Sequence, residues 1–186
     1  ASAQDAQRLL EEIAWFDPSL RACLLPDWET LPYDRISPHP DLVSERLATL
    51  YRIQRADFDL ALVPASTALV RLAPPAYLAA YTFQLETGKP LDLEALRLQM
   101  ATAGYSHVTQ VVAPGEFCVR GGIVDLYPMG SALPYRLDLD DEVIETIRSF
   151  DVDSQRTLYP VKDVRLLPAR EFPLDDAGRT RFRSRF

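Results

Sequence analysis

The sequence predicts a segment of parallel-sheet α/β structure carrying an α+β, mostly antiparallel, module. Three observations predict it. Before residue 74, short apolar runs alternate with helical spacing, as strands buried between helices do. At Pro74-Pro75 that pattern breaks. From Tyr105 to about Leu167 the chain then reads as β almost throughout, and after Pro168 and Pro173 it returns to helix from Asp175 to Phe186.

Taken in order, Ala6, Leu9, Leu10, Ile13 and Phe16 share one face of a helix over residues 4–16 that ends near Pro18. Ala22 to Leu25 is a continuous apolar run, the pattern of a doubly buried strand. Trp28 to Pro40, rich in proline and aromatics, is expected as an ordered loop. Asp41 then caps a helix to about Gln54 with Val43, Leu47, Leu50 and Tyr51 inward. Leu60 to Val63 is a second buried run, followed by a short helix from Ser66 to about Leu72. Strand, helix, strand implies parallel pairing.

Beyond the break, Ala76 to Ala80 is helical, Tyr81 to Glu86 a strand, and Gly88 a turn. Asp92 caps a helix with Leu93, Leu96 and Met100 inward and Gly104 at C′. The strands expected after it are Val108–Val112, Phe117–Arg120, Ile123–Tyr127, Tyr135–Leu139, Val143–Ile147 and Val164–Leu167. Alternation puts Phe117, Val119, Val124, Leu126, Leu137 and Leu139 on one face. Glu116, Cys118, Arg120, Ile123, Asp125, Arg136 and Asp138 then fall on the other. Gly121-Gly122 marks a bulge or a tight turn with positive φ.

The 186 residues are 47% hydrophobic, enough for a real core, and carry a net charge of −7. An acidic chain with little lysine does not neutralise a phosphate backbone by itself, which argues against nucleic-acid binding. Cys23 and Cys118 lie far apart in apolar runs and are expected as buried thiols. With no signal peptide and no spanning apolar run, the segment is expected to be soluble and cytoplasmic. Its helical ends read as those of a piece of a larger protein.

Catalytic signatures are missing. There is no phosphate loop, no G-x-G-x-x-G, no G-x-S-x-G and no H-E-x-x-H. His39 and His107 stand on separate elements, as loop and surface residues. Asp138, Asp140, Asp141 and Glu142 lack the spacing of a calcium loop and are expected as hairpin acids, with Asp151-Val152-Asp153 a further turn. The segment is therefore expected to be no enzyme and to hold no cofactor or metal. What remains is the polar face of the β module, where Arg120 and Arg136 are either interface anchors or solvated arginines paired with Asp125, Asp138 or Glu116.

The stretch GEFCVRGGIVDLYPMGSALPYRLDLDDEVIETIRSFDVDSQRT resembles the signature of the UvrB-homology module, and is most similar to that of the bacterial transcription-repair coupling factor (Mfd) family. DWETLPYD at 27–34, SPHPDLVSERLATLYRI at 37–53 and LLPAREFP at 166–173 resemble the same family. UvrB shares the F-x-V-R-G strand. Its long tyrosine-rich hairpin has no room between Leu31-Pro32-Tyr33-Asp34 and the helix at Asp41.

The resemblance implies a layout: residues 1–81 as the latter part of a degenerate helicase-like α/β domain, 82–168 as an inserted UvrA-binding module like domain 2 of UvrB, and 169–186 as the return to the first domain. It implies a non-catalytic module that recruits UvrA to RNA polymerase stalled at a lesion, within a parent that is an ATP-dependent translocase. RNA polymerase and DNA would be met only through other domains, and a closed arrangement of those domains would mask the docking face. The arginines that face UvrA in the family map onto Arg120 and Arg136. Relatives continue RLDFFDDE where this chain has RLDLDDE, so Leu139 and Asp140 stand in place of two aromatics. Asp140 joins the surface by position alone. Two alternatives stay open at this point, a fragment of a UvrB-type DNA-damage recognition enzyme and a structural spacer packed on motor domains.

Overall fold

The computed structural model describes residues 2–30, 35–173 and 176–184. The first element is helix α1 (Ala3–Phe16), started by a capping box in which Ser2 and Asp5 exchange side-chain and backbone bonds. Its apolar stripe is mostly uncovered: Ala6 is buried, whereas Leu9 and Phe16 are exposed. Strand β1 (Ala22–Leu24), helix α2 (Pro40–Gln54) and strand β2 (Leu60–Leu62) follow. As the strand–helix–strand order predicts, β1 and β2 pair in parallel with α2 as the crossover. The pair has two strands, and β2 is partly exposed rather than buried on both faces. The cap of α2 also differs from expectation. His39 Nδ1 accepts from the Asp41 backbone N–H, and Pro40 takes the first helical position, where no N–H is needed.

Short helices α3 (Ala65–Ala68) and α4 (Pro75–Ala80) lead to strand β3 (Phe83–Glu86). Helix α5 (Leu93–Thr102) starts at an Asp92 cap, and Gly104 follows at φ 94°, as expected for C′. The β run is then β4 (Ser106–His107), β5 (Glu116–Arg120), β6 (Ile123–Leu126), β7 (Tyr135–Asp140), β8 (Val143–Phe150), β9 (Thr157–Val161) and β10 (Asp163–Leu166). Strands β4 to β9 form a six-stranded sheet in chain order, antiparallel apart from the β4–β5 pair. β10 pairs antiparallel with β3 in a separate two-stranded sheet. The last element is helix α6 (Asp176–Arg183). The expected helix start at Asp175, its end at Phe186 and the short loop Leu31–Asp34 lie outside the described residues.

One strand differs outright. Val108–Val112 is irregular, because the Glu116 carboxylate accepts from the N–H groups of Val112 and Ala113 and bends the segment over the sheet. Val111 is thereby driven fully out of solvent. Gly121-Gly122 is a two-residue turn between paired Arg120 and Ile123, with Gly121 at φ 58°. Asp141 and Glu142 form the equivalent turn between Asp140 and Val143, and Asp151 closes a third turn by accepting from Ser154. These acids are turn residues, as expected.

The main core lies on the predicted face. Phe117, Val124, Leu126, Leu137, Ile144 and Ile147 pack with Leu96 and Met100 of α5, Leu85 of β3 and Leu166 of β10. Leu47 of α2 and Leu78 of α4 belong to the same cluster. Two polar contacts reinforce that junction. Ser44 Oγ accepts from Gly130 N–H at 2.6 Å, and buried Arg46 donates to Glu171. Both cysteines are buried and free.

Candidate docking face

The opposite face of the large sheet is not uniformly solvated. Val111, Cys118 and Phe150 form a small second cluster there, with Val108 and Tyr127 packed against it. Alternation puts Cys118 on this face, away from the main core, yet it is buried, as expected of a thiol in an apolar run. It is covered because the bent Val108–Val111 segment crosses above it, with Thr109 C=O 3.5 Å from its Sγ.

Next to this cluster the sheet register brings together Arg120, Asp125 and Arg136. Asp125 of β6 pairs directly with Arg136 of β7 on one side and with Cys118 of β5 on the other. That places Arg120, two residues along β5, diagonally across from Asp125. The Asp125 carboxylate is buried and accepts three bonds. Arg136 Nε donates to Oδ1 at 2.6 Å, Arg136 Nη2 to Oδ2 at 2.9 Å, and Arg120 Nη2 to Oδ2 at 2.6 Å. Arg136 is also clamped from elsewhere: its guanidinium carbon lies 5.0 Å from the Phe150 ring centre, and Nη1 donates to the Gln155 carbonyl at 3.3 Å. The hydrogen bonds to Asp125 raise the Arg136 pKa further above the ordinary guanidinium value.

The two arginines therefore differ. The Arg136 side chain is 19% exposed and its guanidinium is largely occupied, whereas the Arg120 side chain is 54% exposed. Both sit on paired backbone, so neither head group is carried by a mobile loop. Asp140 is exposed at the end of β7 beside the turn and takes no part in the arginine cluster among the described residues. A second polar pair lies across β7 and β8, where Asp138 accepts from Thr146 Oγ1 at 2.7 Å and Arg148 Nη1 approaches it to 3.5 Å.

The sequence names Asp125 only as one of three possible partners for the arginines. Phe150, Gln155 and Arg148 escape it. Phe150 and Gln155 come from the β8 end and the following turn, and no local period shows that they close over Arg136. Chemically the arrangement presents fixed cations and hydrogen-bond donors. Among the described residues no group of three or more histidine, cysteine or acidic side chains is placed to hold a metal ion. No helix among them is long and apolar enough to cross a membrane.

Residues 83–172 match the family model described as the UvrB interaction domain. This chain carries a UvrB interaction domain. The matched residues contain Arg120, Asp125, Arg136 and Asp140 together with most of the main core. Over its full length the chain is similar to longer proteins. It is 48% identical over 185 residues to a transcription-repair-coupling factor of Haemophilus influenzae, covering 100% of this chain. It is 47% identical over 183 residues to the factor of that name from Escherichia coli, covering 98% of the chain. The corresponding protein of Myxococcus xanthus is 37% identical over 165 residues, or 88% of the chain and 14% of its own length. The chain spans 16% of the length of each of the first two relatives.

Proposed function

We propose that this segment is a non-catalytic docking module that recruits UvrA in transcription-coupled nucleotide excision repair. The observation that carries the reading is Arg120, held half-exposed on a rigid sheet by a buried carboxylate, inside the stretch that matches the UvrB interaction domain. A planar guanidinium fixed at its base and open at its tip suits bidentate recognition of an acidic side chain. The relatives' name, transcription-repair-coupling factor, supports the biological setting.

On this reading residues 82–168 form the UvrA-binding module, residues 1–81 the latter part of a helicase-like domain, and 169–186 the return into it. ATP-driven translocation and contact with RNA polymerase and DNA belong to other parts of the parent, and the segment itself uses no cofactor. Arg120 is the principal anchor. Arg136 contributes through the donor positions Asp125 leaves open, and Asp140 belongs to the rim. A pull-down of UvrA by the chain tests the reading. The Arg120→Ala/Arg136→Ala double variant should fold yet capture far less UvrA, and undiminished capture would refute the site.

A further inference from the structure

We propose that Asp125 is the positioning residue of the docking face, its buried carboxylate orienting Arg120 so that the remaining donors of that guanidinium meet a carboxylate of the partner. This deepens the UvrA-docking reading and rests on it.

The geometry separates the two tasks a buried carboxylate can perform. Bidentate pairing with Arg136 already satisfies Asp125 as a structural ion, since each carboxylate oxygen accepts from that guanidinium. Arg136 is in turn locked by the Phe150 ring and the Gln155 carbonyl, so Asp125 is held from behind. The third bond, from Arg120 Nη2, brings in a side chain that is 54% exposed. A contact to a side chain so exposed adds little to folding stability. What it does is remove rotamer freedom from a long flexible side chain before any partner arrives.

Among the described residues, Nε and Nη1 of Arg120 meet no acceptor, and one edge of the guanidinium remains available. Ordering a rotamer-rich side chain is one of the costs of association, and a preordered arginine avoids it. The partner group that matches two parallel donors on one edge is a carboxylate. Asp125 is too deeply buried to touch that partner, so its influence must pass through Arg120.

The test is a double-mutant cycle. UvrA binding is titrated with the chain and with Arg120→Ala, Asp125→Asn and the two combined, alongside a thermal melt of each. Arg120→Ala is expected to weaken binding about thirtyfold. Asp125→Asn is expected to weaken it about tenfold in the parent chain, but less than about twofold once Arg120 is gone. Equal losses with and without Arg120 would mean that Asp125 acts through the general fold, and would overturn the proposal. Undiminished binding by Asp125→Asn alone would overturn it while leaving the docking reading intact. Undiminished binding by Arg120→Ala would overturn both. Should Asp125→Asn melt below the assay temperature, the comparison moves to an Arg136→Met background, in which Asp125→Asn leaves neither charge of the pair, with the same outcomes expected relative to Arg136→Met alone.

Discussion

Arg46 and Glu171 show how much one buried pair can decide. The Arg46 side chain is fully buried and that of Glu171 nearly so, with Nε 2.5 Å from Oε1 and Nη2 3.2 Å from Oε2. Arg46 also donates to the Pro26 carbonyl and lies 4.6 Å from the Trp28 ring centre. Glu171→Ala strands the cation, and urea denaturation should report a loss of about 3–5 kcal/mol. Arg46→Met combined with Glu171→Leu removes both charges and should recover most of that loss. Asp59 acts at the surface instead. Its carboxylate accepts from the backbone N–H and guanidinium of Arg21, and these bonds hold its pKa down to about 2 from 3.8. A depressed carboxylate stabilises the fold above its unfolded pKa and loses that contribution as pH falls through the folded one. Melting temperatures of the parent chain should therefore fall faster than those of Asp59→Asn between about pH 3.8 and 2.

Among the elements, the β5–β6 hairpin is constrained at its turn. Gly121 sits at φ 58°, and a Cβ on Gly122 would come within 3.1 Å of the Leu139 carbonyl oxygen. Gly121→Val should cost about 1–3 kcal/mol in chemical denaturation, through the strain of a β-branched residue at positive φ. Because this turn sets the diagonal between Arg120 and Asp125, the same variant should also weaken partner binding. How far each element could be read beforehand follows from its periodicity. Phe117, Val124, Leu126 and Leu137 alternate cleanly, and they form the core face as predicted. β9 is not legible as a separate strand, because Thr157–Val161 shows no alternation, contains Pro160 and is mostly exposed. Val108–Val112 reads as a strand by composition, yet the Glu116 side chain captures its N–H groups. Local pattern does not register a competitor of that kind.

At the scale of the molecule, the arginines were legible and their environment was not. Alternation placed Arg120 and Arg136 on one face, but the burial of Arg136 depends on Phe150 and Gln155, brought over it by the turn after β8. The core runs across the composition break at Pro74-Pro75, since Leu47 and Leu78 pack in the same cluster as Leu137 and Ile147. Urea unfolding followed by tryptophan fluorescence and far-UV circular dichroism should accordingly show coincident transitions. Separated transitions would mean that α2 and the large sheet unfold independently.

In the proposed docking mode, a preordered arginine on this sheet meets UvrA. Calorimetric titration of purified UvrA with the chain and with its Arg120→Ala variant addresses it most directly. Arg120→Ala should raise the dissociation constant about thirtyfold, or about 2 kcal/mol, with the melting temperature of the variant unchanged. Equal affinities for the two chains would contradict it.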